Sequence, residues 1–409
     1  MNRQHVTTAL LRAFRSERRL LEIFGLALAA ALSVRPGYIG DYVWDAKPTV
    51  DALASGDVVR ALAEHQPAMG PLTIFLRAPF VAVARAFGAG DLATYRVGVF
   101  ACAACAALLV AALVRWFRSP TQPRSLGPLV VMLAIATPVA MTALELGHPE
   151  ELLGAALCAA AVGAGIRGRP VAATLLLGLA LATKQWAVLA IGPTLLAVGR
   201  TYFWRVAAVA SGIAGVLMLP QLLADHQGVA SMTRVASLAP THPYLLSWWY
   251  VITPEIPTRI ASLTHPAIVF AAIPLTALAY KRRADVGSSV LPLLALLFLI
   301  RCVLDPQDNY YYHLPLLFAL LAWDLQMRRR MPYATLAVVV ALVVTVSYLS
   351  SDKFIASSFY LAWTVPLAVF LVLTVLRGRA EAHVPAQAPA PGPPERVLQA
   401  SADTFIPRI

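Results

Sequence analysis

Apolar residues along this chain fall into long runs broken by short polar clusters. The runs lie near residues 20–35, 93–115, 127–144, 151–166, 170–183, 186–199, 206–222, 264–280, 288–304, 314–327, 332–350 and 359–376. A stretch of about 17–25 apolar residues is long enough to cross the hydrocarbon core of a bilayer as a helix. Several of these runs are shorter than that, which predicts helices that are broken or that stop short of crossing. The stretch 72–88 is apolar but contains Arg77, Pro79 and Arg85, and it reads as an interfacial or partly inserted helix. The pattern predicts an all-α polytopic membrane protein with about twelve transmembrane helices. A long first outer loop, residues 36–92, would carry one or two short amphipathic helices on the membrane surface.

Composition supports lipid as the solvent. Of 409 residues, 59% are hydrophobic and only 13% charged, whereas a soluble domain carries about 25% charged residues. The net charge of +12 on its own would suit a nucleic-acid binder. Its placement does not, because Lys and Arg occur in short clusters between apolar runs, as topology signals do. With the N-terminus inside, the clusters Arg115–Arg124, Arg167–Arg169, Arg200–Arg205, Lys281–Arg283 and Arg328–Arg330 and the tail from Arg377 all fall on the inner side. Counting 72–88 as a full span would turn every later cluster outward.

The basic segment 1–19 is therefore expected in the cytoplasm, followed by an uncleaved first span rather than a signal peptide. The transmembrane domain is expected over 20–376. Residues 377–409 contain Ala388-Pro389-Ala390-Pro391-Gly392-Pro393-Pro394 and read as a disordered cytoplasmic tail. Both termini are expected inside a plasma or inner membrane, with the chemistry on the outer face.

The outer loops hold most of the remaining polar residues. The first contains Gly40-Asp41-Tyr42-Val43-Trp44-Asp45, then Asp51, Asp57, Glu64 and His65. The next contains Glu145-Leu146-Gly147-His148-Pro149-Glu150-Glu151, followed by a tight hairpin at Thr183-Lys184-Gln185-Trp186. The stretch Asp225 to His265 holds His226, Arg234, His242 and Trp248-Trp249-Tyr250, and the last loop runs from Arg301 through Asp305 and Asp308 to Tyr310-Tyr311-Tyr312-His313.

Much of this has a plain explanation. Trp and Tyr gather at membrane interfaces as a belt, and Asp51, Asp57 and Glu64 suit a solvated helix face. Lys184 is harder to dismiss. The short runs on either side place it below the membrane surface, where a Lys costs about 2.5–3.5 kcal/mol at mid-membrane and calls for a partner or an anionic ligand. His148 beside Glu150 and Glu151, and the group Arg301, Asp308 and His313, raise the same question.

Cys102, Cys105, Cys158 and Cys302 all lie in apolar runs and read as small buried hydrophobes. No phosphate-binding glycine loop, nucleophile elbow or zinc-type spacing occurs. No cofactor is expected, although a divalent metal is not excluded.

The order of the loop motifs resembles the GT-C superfamily of integral-membrane glycosyltransferases, and within it glycosyltransferase family 87, which includes polyprenyl-phosphate-mannose-dependent mannosyltransferases. The residues that carry the resemblance are Asp41 after the first span with Gly56 fifteen positions on, Gly147-His148-Pro149-Glu150, Arg167-Gly168-Arg169-Pro170 leading to Gly178 and Lys184, and Asn309-Tyr310-Tyr311-Tyr312-His313-Leu314-Pro315. The resemblance covers about residues 20–376. It implies transfer of a sugar, mannose being the first candidate, from a polyprenyl phosphate to a lipid or glycan acceptor on the outer side.

The residue types suit that chemistry. An acceptor hydroxyl benefits from a general base. A phosphate leaves as a stabilised anion, so it needs cationic or hydrogen-bonding groups rather than a general acid. The set differs from the paired carboxylates of glycosidases. The resemblance implies Asp41 as base, with Asp45 competing for the place. It implies His148, Lys184, Arg301 and His313 around the donor phosphate, and Trp249, Tyr310 and Tyr311 against sugar or prenyl. The expected partners are membrane lipids, the donor and a glycolipid or glycan acceptor, without nucleic acid. A polytopic transporter or lipid-carrier flippase stays open, since charged residues inside a helical bundle also mark substrate paths.

Overall fold

The computed structural model describes residues 3–63, 70–224, 246, 248–253, 255–281, 286–327 and 330–377. His65, His226, Arg234, His242 and the Pro-rich tail lie outside the described residues. Every regular element among those described is helical.

The apolar runs become helices. Helix α1 spans Arg3–Ser33, so the first run is the C-terminal half of a longer helix. Residues 36–92 carry α2 (Tyr42–Asp45), α3 (Lys47–Ala54) and α4 (Val58–Ala63), one more short helix than expected, and α5 (Pro71–Ala86), where the helix over 72–88 is expected. Lys47 and Arg85 pair with Asp51 at 3.1 and 2.7 Å, and Arg85 also reaches Asp91 at 3.2 Å. These ion pairs tie the loop to the start of α6 (Asp91–Phe117).

Next come α7 (Leu126–Ile135) and α8 (Pro138–Leu146). Their single apolar run is split because Pro138 has no N–H to continue the ladder, and the Thr137 hydroxyl caps the new start by accepting from Ala140 N–H at 3.2 Å. Then follow α9 (Pro149–Ile166), α10 (Pro170–Leu181), a 3₁₀ turn over Gln185–Ala190, α11 (Ile191–Val198) and α12 (Phe203–Ala224). Beyond them lie α13 (Trp249–Ile252), α14 (Thr258–Lys281) and α15 (Val286–Leu304). The chain ends in a 3₁₀ turn at Tyr310–His313, α16 (Leu314–Gln326), α17 (Tyr333–Val343) with a π turn over Val344–Tyr348, and α18 (Lys353–Arg377).

Seven segments among the described residues are long and apolar enough to cross a membrane: Asp91–Phe117, Leu126–Leu146, Pro149–Ile166, Phe203–Gln221, Thr258–Lys281, Gly287–Leu304 and Lys353–Arg377. Pro170–Leu181, Gln185–Val198 and Tyr333–Tyr348 are apolar but shorter. Their lengths make them half-spans or re-entrant elements unless they tilt into a locally thin bilayer.

Burial separates an inner from an outer set. The most apolar window of α9 is 94% buried, against 17% for α12 and for α14. Helix α9 lies at the centre because its small residues admit neighbours closely, as in membrane bundles generally. A Cβ on Gly163 would stand 2.8 Å from the Leu113 side chain, and one on Gly165 would stand 2.7 Å from Ala197 Cβ. The outer helices instead expose Val216, Phe270 and Val369. Apolar faces on this scale are untenable in water and natural against lipid.

Candidate functional site

Two glycines bring the loop between α1 and α6 onto the α8–α9 turn. Gly147 ends α8 with φ +102°, and the N–H of His148 closes the turn on Ala143 O at 2.8 Å. This is a left-handed helix stop of the kind glycine favours. Gly40, at φ +52°, lies against it, and Asp41 N–H donates to Leu146 O at 2.9 Å. A Cβ on Gly147 would stand 2.6 Å from Tyr42 N. The close approach therefore depends on a residue without a side chain.

A polar chain starts at this contact and runs inward. Asp41 Oδ2 is 3.2 Å from His148 Nε2, His148 Nδ1 is 2.9 Å from Glu150 Oε1, and Arg77 Nη2 donates to Glu150 Oε2 at 2.8 Å. The Asp41 side chain is 65% exposed, that of His148 8%, and those of Glu150 and Arg77 0% and 1%. The chain thus connects an accessible carboxylate to a buried guanidinium. Arg77 in turn lies over the Tyr42 ring at 5.5 Å, and the Tyr42 and Tyr95 rings meet at a tilt, with centroids 4.9 Å apart.

Lys184 joins from the other side. Its Nζ is 3.3 Å from both Glu150 Oε1 and Glu151 Oε1. The corner that carries it is fixed to the start of α5, where Gly70 N–H donates to Thr183 O at 3.2 Å and Leu72 N–H to Ala182 O at 3.1 Å. Both glutamates sit in the first turn of α9, where the helix dipole favours negative charge.

Two outer groups here titrate away from their ordinary values. Burial works against the charged form of the His148 ring. The hydrogen bond and charge of Glu150 more than offset it, so the imidazole titrates above the usual range. Asp45 faces the same cluster. Burial holds its proton above the usual carboxylate range, although His148 and Lys184 pull the other way.

Of the expected phosphate-binding set, His148, Lys184 and Arg301 gather around Glu150 and Glu151, and His313 lies in another network. Lys184 is already neutralised by Glu150 and Glu151, and His148 lies between Glu150 and Asp41. Arg301 hydrogen-bonds the Tyr312 carbonyl at 3.2 Å and is flanked by the rings of Tyr312 at 4.4 Å and Trp186 at 5.2 Å. His313 is fully buried in a separate network: its Nε2 is 2.9 Å from Tyr360 Oη, and Tyr360 O–H donates to Asp308 Oδ2 at 3.1 Å. His313 Nε2 faces Tyr360 and Asp308 rather than the Asp41–His148 network. A fully buried ring with both nitrogens engaged presents no free donor.

The aromatic residues are likewise committed. Tyr311 stacks on the His148 ring at 4.9 Å, so one face is covered. Trp249 Nε1–H donates to Leu304 O at 2.9 Å, and Tyr310 Oη is buried without a hydrogen-bond partner.

Sequence reasoning missed Arg77 as a site component, having read it as part of an interfacial helix. The signal was present, because a cation within an apolar run needs an anion nearby. It also missed Trp186, Tyr360 and Cys302 as participants, since single aromatic and thiol residues in apolar runs look like core.

No protein-family model matches the sequence, and no curated protein matches it either. The functional reading therefore rests on the residues and their geometry. What they offer is an accessible carboxylate braced by an imidazole, a second carboxylate facing the same cluster, and one buried guanidinium hydrogen-bonded to a backbone carbonyl.

Proposed function

We propose that the chain is a membrane glycosyltransferase of the GT-C type. It would move a sugar, mannose being the first candidate, from a polyprenyl-phosphate donor to a lipid or glycan acceptor on the extracytoplasmic face. The observation that carries this reading is the exposed Asp41 carboxylate held 3.2 Å from His148, on a loop fixed against two helix ends. In this reading Asp41 Oδ1 or Oδ2 removes the proton of the acceptor hydroxyl. The acceptor oxygen attacks the anomeric carbon, the bond to the phosphate oxygen breaks, and the phosphate departs with the electron pair. A single displacement inverts the anomeric centre.

The remaining groups divide the work by their geometry. His148 Nε2, 3.2 Å from Oδ2, orients the Asp41 carboxylate. Arg301 is the cation best suited to the departing phosphate, because it hydrogen-bonds a carbonyl rather than a carboxylate. In a dry site such a donor is worth several kcal/mol, about 2.7–4 for one oxyanion contact. Lys184 and Arg77 serve mainly to neutralise Glu150 and Glu151. Asp45 is the second candidate for base. Burial holds its carboxyl above the usual carboxylate range, which makes it a stronger base.

The proposed topology is about twelve membrane segments, counting the half-length helices, with both termini cytoplasmic and the loop of α2–α5 outside. A flippase or transporter is the second reading, favoured by the fully buried Arg77–Glu150 pair, since such pairs also line substrate paths.

One experiment separates the two. Purified protein in detergent is given a radiolabelled polyprenyl-phosphate sugar and a membrane-lipid extract, beside Asp41→Asn and Asp45→Asn. Transfer by wild type, with loss in a folded Asn variant, supports the transferase and identifies its base. No transfer, with label protected inside proteoliposomes, supports the flippase instead.

A further inference from the structure

The last outer loop contains a second polar cluster that the proposed transfer chemistry does not use. Cys302 lies near the end of α15, Asp308 in the following loop and His313 in the 3₁₀ turn before α16. All three are buried, at 0%, 2% and 0% exposure. One ligand atom from each lies within 4.8 Å of the others. The Cys-x₅-Asp-x₄-His spacing matches no familiar zinc motif, so the sequence alone does not reveal the grouping.

The hydrogen bonds around the cluster orient it. His313 Nδ1 is 3.1 Å from Tyr310 O, which fixes its proton on Nδ1 and leaves the Nε2 lone pair facing inward. A backbone carbonyl on the far nitrogen is the usual support for a metal-binding histidine. Nε2 is 3.5 Å from Asp308 Oδ2, and the Tyr360 hydroxyl is 2.9 Å from Nε2 and 3.1 Å from Oδ2. A tetrahedral site with bonds of about 2.0–2.3 Å separates its ligand atoms by roughly 3.3–3.8 Å. The nitrogen and carboxylate already stand at that separation.

Arg301 is near the cluster, but it hydrogen-bonds the Tyr312 carbonyl and forms no ion pair with Asp308 among the described residues. Nε2 and Asp308 Oδ2 compete for the single proton of Tyr360, and Asp308 Oδ1 is buried with no hydrogen-bond partner at all. A buried carboxylate in that condition is costly. A bound cation supplies what is missing.

We propose that Cys302, Asp308 and His313 form a buried zinc site, with the Tyr360 hydroxyl closing the fourth position. Thiolate, imidazole and carboxylate together select Zn²⁺ among the common divalent ions. Binding displaces the Cys302 thiol proton to solvent. Thiolate and carboxylate then balance the two charges of the metal. The site would pin the end of α15 to the start of α16 and to α18, and thereby fix the Arg301 and Tyr312 segment between them. Its role is structural, and it stands or falls independently of the transfer reaction.

The test uses the purified full-length protein. Metal content is measured by mass spectrometry after a wash with a weak chelator. Co²⁺ is then exchanged in and its absorption recorded. The expected result is one metal ion per chain, with a sulfur-to-cobalt charge-transfer band and the intense visible bands of a tetrahedral site. The isosteric Cys302→Ser removes the charge-transfer band, and Asp308→Asn lowers the retained metal at least tenfold. Each variant is first shown to be monodisperse by gel filtration. Three results overturn the proposal: a monodisperse wild type that holds no stoichiometric metal, cobalt bound without a sulfur band, or a band that survives Cys302→Ser. The first of these needs no variant, and it would assign the cluster to a protonated Asp308 instead.

Discussion

His148 Nε2 stands 3.2 Å from Asp41 Oδ2 although 107 positions separate them in the chain. The pair exists because Glu150 holds the opposite side of the ring at 2.9 Å. Glu150 thus positions the imidazole and raises its pKa. Replacing it by Gln keeps the size of the side chain and removes the charge, so His148 should titrate lower. A group with a raised folded pKa contributes stability that is complete below its unfolded value, about 6.5 for histidine, and lost as pH rises through the folded value. The basic limb of both activity and thermal stability should therefore move to lower pH in Glu150→Gln. Parallel pH profiles of transfer and of melting temperature measure this, and an unmoved limb would separate His148 from the reaction.

Gly147 and Gly56 provide a matched pair of backbone tests. Both have positive φ, +102° and +84°. A Cβ on Gly147 would collide with Tyr42 N at 2.6 Å, while one on Gly56 would meet nothing within 4 Å. Alanine at either position should cost about 1–2 kcal/mol of backbone strain. Only Gly147→Ala should also push Asp41 away from His148, with transfer reduced by at least tenfold. Comparable melting temperatures with unequal activities would support this view of the loop contact. Equal activities would contradict it.

Lys184 shows how differently sequence and structure can present one residue. Alone in the sequence it is a cation below the membrane surface, apparently waiting for a phosphate. In the fold two glutamates already hold it at 3.3 Å. Lys184→Met should therefore strand buried negative charge, a change costing about 3–5 kcal/mol. Folded yield and melting temperature should fall first. A variant of normal stability with a raised donor KM would restore the phosphate-binding role.

The helices themselves were legible, because apolar runs translate directly into membrane helices. The run 93–115 became Asp91–Phe117, and 264–280 became Thr258–Lys281. Less legible was the loop between α1 and α6, whose helices are held by Lys47, Asp51, Arg85 and Asp91. Such surface pairs have no periodic signature. At the site, Asp41, His148 and Lys184 stood out because polar residues between apolar runs are conspicuous. Arg77 did not, because its partner Glu150 is 73 positions away and pairing at that distance is a property of the packed bundle. Cys302 was unreadable for a similar reason, since a thiol in an apolar run looks like core until a carboxylate and an imidazole fold beside it.

Arg77 and Glu150 test whether the buried pair serves structure or substrate. Removing one partner leaves an uncompensated buried charge, whereas removing both removes the conflict. Arg77→Met should lower stability by about 3–5 kcal/mol, and Arg77→Met with Glu150→Gln should recover most of that loss. Melting temperatures of the two single variants and the double variant complete the cycle. No recovery in the double variant would show that Arg77 acts through other contacts, such as the Tyr42 ring.

The proposed orientation rests on charge placement and can be read by labelling. Cys102, Cys158 and Cys302 are buried and Cys105 is half-buried, so added surface thiols should dominate the signal. Thr121, exposed in the cationic α6–α7 connection, and Ser55, exposed after α3, lie on opposite sides in the proposed topology. With the N-terminus inside, an impermeant maleimide on intact cells should modify Ser55→Cys at once and Thr121→Cys only after the membrane is opened. The reverse pattern would turn the whole bundle over and place Asp41 in the cytoplasm. There the base would meet nucleotide sugars instead of an outward-facing polyprenyl donor, and the proposed reaction would lose its substrate.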